Sequence, residues 1–212
     1  MKRERLTKWL TSNGYLHSPI IKDAFVHINR ADFVGDEHKD ESRENLPVSI
    51  GFGKVVPQPS TTAFILELAE PKPGEKILHV GAGSGWITAL LARIVCGKKD
   101  ADTPSGKVMA IESNEELSNT ATKNLEKYNF ISNGIADVIC GNEKGGFKNH
   151  APYDKIISSV SFKEIPSEWK DEVRIGGRII IPVGERIIVL DKTSSDSFSR
   201  KQYFGFDLVS GE

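Results

Sequence analysis

An α/β fold built on a mostly parallel sheet, finished by a C-terminal antiparallel strand pair, is what the sequence predicts, on three observations. From Lys76 onward, short apolar runs alternate with helix-period segments, the pattern of strands joined by crossover helices. The run Ile77, Leu78, Val80 passes through Gly81, Gly83 and Gly85 into "WITALLARIV", so a buried strand turns on glycines into a helix. The last two runs, "RIIVLDK" and "KQYFGFDLV", read as the antiparallel pair.

The elements follow in order. Residues 2 to 29 hold two short helices, "RERLTKWLTSN" and "SPIIKDAFVHI", the second opened by Ser18 with Pro19 at its first position. From Arg30 to Lys54 the chain is charged, glycine-containing and without sustained periodicity, as expected of a long loop over a site. A helix "PSTTAFILELAE" starts at Pro59, and strands are predicted at "KILHV", "GKVMAIE", "ADVIC", "YDKIISSV" and "GGRIIIPV". Helices from Trp86 and Asn114 separate the first three strands, and "CGKKDADTPSGK" reads as a surface loop.

At 212 residues the chain is expected to form one domain, 1–212, with 1–58 as N-terminal helices and substrate-side loop and 59–212 as the α/β core. Its 28 basic and 29 acidic residues leave a formal charge of −1, without the positive field that drives phosphate binding, so no nucleic-acid partner is expected. No apolar run approaches a membrane span, and the basic N-terminus lacks a signal core, so a cytoplasmic protein is expected. Cys96 and Cys140 are read as buried thiols, and the five histidines show no ligand spacing, so no metal is expected. Oligomeric state is left open.

The glycine turn is the first candidate ligand site. A dinucleotide fingerprint places a third glycine where this chain has Trp86, so NAD is the weaker reading. Glu112, at the next strand end, suits two ribose hydroxyls, or alternatively caps the helix that starts near Asn114. Asn142 and Glu143 end the third strand, where a side chain can read an adenine edge. Together these describe an adenosyl pocket, with S-adenosylmethionine preferred as the more compact ligand.

In order along the chain, "RADFV", "LPVSIGFG", "QP", "PKPGEKILHVGAGSGW", "GKVMAIES", "APYDKIIS", "IP" and "GGRIIIPVG" resemble the protein-L-isoaspartate O-methyltransferase family over roughly residues 30 to 190. The resemblance implies a Rossmann-like methyltransferase sheet with helices on both faces. It also implies S-adenosylmethionine as methyl donor, with S-adenosylhomocysteine as its product, and isoaspartyl carboxylates of damaged proteins or peptides as acceptor. The ester then collapses to a succinimide, which begins repair. Gly81, Gly83, Ser84 and Gly85 would wrap the methionine portion, Glu112 the ribose, and Asn142 with Glu143 the adenine, with Ala82 and Ser113 as further expected cofactor-binding residues. His79 and Thr62 complete the expected cofactor contacts; Ser60, Thr61, Ser158 and Ser159 are expected at the substrate. A carboxylate is already a nucleophile at neutral pH, so no general base is required.

The catalytic segment departs from the family. Where the family usually writes Thr-Ile-Ser, with the serine hydroxyl at the reacting centre, this chain has Val55, Val56 and Pro57, removing two hydroxyls and a backbone donor. His79 stands for the usual acid, Asn142 for the usual aspartate, and "SSVS" (158–161) for a small-residue segment. Such an imidazole either hydrogen-bonds the methionine portion or packs at the strand end. Three readings stay open: isoaspartyl methylation, methylation of another peptide or small carboxylate, or a catalytically silent binding homologue.

Overall fold

In the computed structural model, residues 2–97 and 106–205 are described. Helices α1 (Lys2–Ser12) and α2 (Pro19–His27) come first, then three short 3-10 turns between Arg30 and Arg43. A two-residue hairpin follows, β1 (Val48–Ser49) against β2 (Val55–Val56), leading into α3 (Pro59–Ala69). Beyond it lie β3 (Lys76–Val80), α4 (Trp86–Val95), β4 (Lys107–Glu112), α5 (Glu115–Glu126), β5 (Ala136–Cys140) and β6 (Tyr153–Ser158). The chain closes with α6 (Ser167–Glu172), β7 (Val173–Val183), β8 (Arg186–Lys192) and β9 (Phe198–Phe204).

Seven strands form one sheet in the order β5-β4-β3-β6-β7-β8-β9. Pairings from β5 to β7 are parallel, and β7 with β8 and β8 with β9 are antiparallel. The winding reverses between β3 and β6, and in open α/β sheets ligands bind beyond the carboxyl ends of the strands at such a reversal. The glycine turn leaves β3 there, and Ser159 leaves β6 beside it.

Residue alternation sorts the sheet into two apolar faces. One face packs Ile77, Val108, Ile157 and Ile180 against Leu10, Ile21, Leu66, Leu90 and Leu125, so α1 to α5 all lie on it. The other packs Leu78, Met109, Ile156 and Ile179 around Trp169 of α6. Helices thus cover both faces unequally: the second carries six-residue α6 and short 3-10 turns.

Several expectations need correction. The sequence reading missed α6 and the β1–β2 hairpin, whose two-residue strands are too short to show a period. Ser18 precedes α2 but does not cap it: its hydroxyl donates to Glu67 of α3 at 2.6 Å, tying the second helix to the third. Cys140 is exposed rather than buried, because it ends the outermost strand, and Cys96 is half-buried. Most of "CGKKDADTPSGK" and the end of "KQYFGFDLV" lie outside the described residues. No helix among the described residues is long and apolar enough to cross a membrane.

Candidate active site

A cavity of about 250 Å³ lies at the sheet reversal. Its floor is Gly81, Ala82, Gly83 and Ser84 after β3, with Trp86 and Ile87 opening α4. One wall is Pro47, Lys54, Val55, Val56, Pro57, Gln58 and Thr61; Glu112 of β4 and Ser159 and Val160 after β6 complete it. The structure therefore brings together the expected Val55–Pro57 segment, the glycine turn, Glu112, Thr61 and Ser159.

The turn is held by its neighbours. Gly81 and Ala82 donate their N–H groups to the Ile111 carbonyl at 2.9 and 3.0 Å, and Asn124 of α5 donates to the Ser84 carbonyl at 2.9 Å. Gly85 is required by shape: its φ is +96°, and a Cβ there would lie 3.2 Å from the Ala121 Cα. Gly85→Ala should therefore destabilise the protein by at least about 2 kcal/mol, combining left-handed strain with overpacking, as read by urea unfolding.

Glu112 is 2% exposed, and its carboxylate accepts from Gly83 N–H at 2.7 Å and Asn114 N–H at 3.0 Å. A carboxylate has about four acceptor positions, so two remain for a diol. Asn114 itself caps α5, its side chain accepting from Leu117 N–H at 3.0 Å, so Glu112 is not the helix cap. Beside it Glu143 is buried, and burial followed by the charge of Glu112 raises its pKa. Ser113 donates toward Glu143 at 3.4 Å, and Asn142 caps the short turn at Glu143 by accepting from Lys144 N–H at 3.0 Å. These three residues adjoin Glu112 without lining the cavity.

Other expected residues are placed elsewhere. Ser60 is buried and its N–H donates to Asn45 Oδ1 at 2.9 Å, so that donor of the α3 N-terminus is already used. Thr62 is fully buried, and Ser158 turns back to accept from and donate to Val160 backbone groups. Gly85, packed against Ala121 of α5, does not line the cavity. His79, expected either at the cofactor's methionine portion or packed at the strand end, does not line the cavity: it is fully buried, with Nδ1 2.8 Å from Thr88 Oγ1 and Nε2 2.7 Å from Ser159 Oγ.

Burial lowers the His79 pKa to about 3. The unfolded chain titrates near 6.5 and the native one far lower, so between those values the unfolded state binds the extra proton. His79's contribution to stability is whole above the unfolded value and is lost as pH falls from 6.5 toward 3. Relative to His79→Gln, wild-type stability should fall by up to about 1.4 kcal/mol per pH unit in that window, measured by denaturation at stepped pH.

Sequence reasoning missed the residue that fixes the cavity's outer wall. Arg30 is 4% exposed and donates to the carbonyls of Ser42, Glu44, Leu46, Val56 and Pro57 at 2.8 to 3.3 Å. Its guanidinium lies 5.0 Å from the centroid of the Trp86 ring, and burial lowers its pKa to about 10, so it stays charged at neutral pH. One cation thus gathers the loop onto the cavity. The sequence signal was an arginine opening an irregular segment, with nothing to mark its distant partners.

The cavity suits a polar ligand. Ser84 Oγ and Trp86 Nε1 are buried without hydrogen-bond partners among the described residues, and both residues line it. No group of three or more His, Cys, Asp or Glu placed to hold a metal occurs among the described residues.

Comparison with known proteins agrees with this geometry. Residues 1–209 match the family model described as Protein-L-isoaspartate(D-aspartate) O-methyltransferase. A curated Protein-L-isoaspartate O-methyltransferase of Methanopyrus kandleri is 32% identical over 211 residues, covering 98% of this chain and 89% of its own. One from Hyperthermus butylicus is 36% identical over 186 residues, covering 88% and 76%. A crystal structure from Plasmodium falciparum, described as a protein-L-isoaspartate O-methyltransferase with S-adenosyl-L-homocysteine, superposes with a TM-score of 0.86 at 20% identity, covering 98% of this chain and 97% of that one. That likeness shows the Rossmann-like methyltransferase fold.

Proposed function

The chain belongs to the protein-L-isoaspartate(D-aspartate) O-methyltransferase family, and from that premise we propose that the cavity at the sheet reversal is where its methyl transfer takes place. Its activity is S-adenosylmethionine-dependent esterification of L-isoaspartyl residues in proteins and peptides. The observation that carries the site assignment is Glu112, a buried carboxylate fixed by Gly83 N–H and sharing one cavity with the Val55–Thr61 wall.

The residues present fit the cofactor. Glu112 would hold the ribose hydroxyls with its two remaining acceptor positions, and the glycine turn would admit the methionine portion against bare backbone. Asn142 and Glu143, after the next strand end, would meet the adenine, with Ser113 between them and the Glu112 carboxylate. When bound, S-adenosylmethionine supplies a methyl group on a sulfonium sulfur, which keeps the bonding pair and becomes a neutral thioether when a carboxylate oxygen takes the methyl.

For its part, the chain aligns the acceptor and excludes water. Val55, Val56 and Pro57 form an apolar wall at the position of the family's hydroxyls, and Arg30 holds that wall through its Val56 and Pro57 carbonyls. Thr61 and Ser159 are the hydroxyl side chains that line the cavity away from the turn. We assign the protein to the cytoplasm, a reading supported by two free thiols, one of them exposed. Calorimetry with S-adenosylhomocysteine tests the site: saturable binding to the folded protein is expected, and a folded protein that does not bind it overturns the assignment.

A further inference from the structure

The family's hydroxyl is missing at Pro57, yet a second hydroxyl enters the same cavity under unusual control. Ser159 lines the cavity, and its Oγ lies 2.7 Å from His79 Nε2, while the other ring nitrogen lies 2.8 Å from Thr88 Oγ1. A neutral imidazole has one donor nitrogen and one acceptor nitrogen, so one of two arrangements holds.

Thr88 decides between them. It is fully buried, and His79 is its one side-chain hydrogen-bond partner among the described residues. If Nδ1 carried the proton, the Thr88 hydroxyl would only accept, and its own proton would be buried unpaired, which is costly. If Thr88 donates to Nδ1, both groups are satisfied and Nε2–H donates to Ser159 Oγ. The Ser159 proton is then free to donate into the cavity.

We propose that His79 is a positioning residue that turns the Ser159 hydroxyl into a hydrogen-bond donor for the acceptor carboxylate of the substrate, replacing from the β6 side the hydroxyl absent at Pro57. This rests on the isoaspartyl reading. It also gives His79 a role without cofactor contact. An oxygen that takes a methyl group loses negative charge, so a donor to that carboxylate is worth no more in the transition state than in the bound substrate. Its loss falls on KM.

The test has two parts. Ser159→Ala should raise KM for an isoaspartyl peptide about tenfold, with kcat and the S-adenosylhomocysteine Kd within about twofold, and Ser159→Thr should restore KM. His79→Gln, which keeps a donor near Nε2, should retain more of the peptide affinity than His79→Leu. An unchanged KM, a loss confined to kcat, or a loss in S-adenosylhomocysteine affinity with KM unchanged overturns the proposal, the last by assigning the hydroxyl to the cofactor's carboxylate. Separately, long-range proton–nitrogen correlation on histidine-labelled protein, with His79→Gln assigning the signal, should show His79 protonated at Nε2; protonation at Nδ1 overturns the proposal whatever the activity. A wild type that methylates no isoaspartyl peptide would refute the functional reading and overturn the proposed acceptor with it, while the tautomer separately decides whether His79 makes Ser159 a donor.

Discussion

Glu112→Gln should weaken S-adenosylhomocysteine binding by about 100-fold, close to 2.7 kcal/mol, while leaving a folded protein. The carboxylate accepts from Gly83 N–H at 2.7 Å and Asn114 N–H at 3.0 Å, and in the proposed site its remaining positions would accept from the ribose hydroxyls. An amide replaces one acceptor oxygen with an NH₂ group, so a donor must oppose a donor wherever the amide is turned. Glu112→Asp keeps the charge but withdraws it by one methylene and should cost about tenfold. Calorimetry with a parallel thermal melt reads both. A Kd within about threefold of wild type for Glu112→Gln would remove Glu112 from the cofactor site.

The second large effect is expected at Arg30. Arg30→Met keeps much of the apolar stem but leaves the carbonyls of Ser42, Glu44, Leu46, Val56 and Pro57 without their donor. Losing one side of a buried charged network costs about 3–5 kcal/mol, which lowers Tm by roughly 10 °C in a chain of this size. The wall at Val55–Pro57 would then lose its anchor, and misplacing a positioning segment by an ångström can cost about 100-fold in rate. Arg30→Lys should recover only part of this, because a point charge cannot fork to five carbonyls. A variant that melts with wild type and keeps its activity would show that the loop is held by other contacts.

The sheet was legible because its signal is local. "KILHV", "ADVIC" and "RIIVLDK" are strands over the same residues, since each is an apolar run bounded by turns. β7 starts at Val173 rather than Gly176, and there the register against β6 shifts, a tertiary pairing that periodicity does not encode. The Glu112 neighbourhood could be read because its chemistry sits on adjacent strand ends. Arg30 and His79 could not be read in the same way. Arg30 works through backbone carbonyls 12 to 27 residues away, and His79 joins Thr88 on the next helix to Ser159, 80 residues on. Neither partner set leaves a pattern in spacing, so a strand-end histidine looks the same whether it touches ligand or orients another side chain.

Methyl-ester formation on a matched pair of peptides, one with L-isoaspartate and one with ordinary aspartate, bears most directly on the central claim. With S-adenosylmethionine present, the wild-type protein should yield a base-labile methyl ester on the isoaspartyl peptide and leave the aspartyl peptide unmodified. A folded protein that binds S-adenosylhomocysteine yet esterifies neither peptide, or both equally, would contradict it.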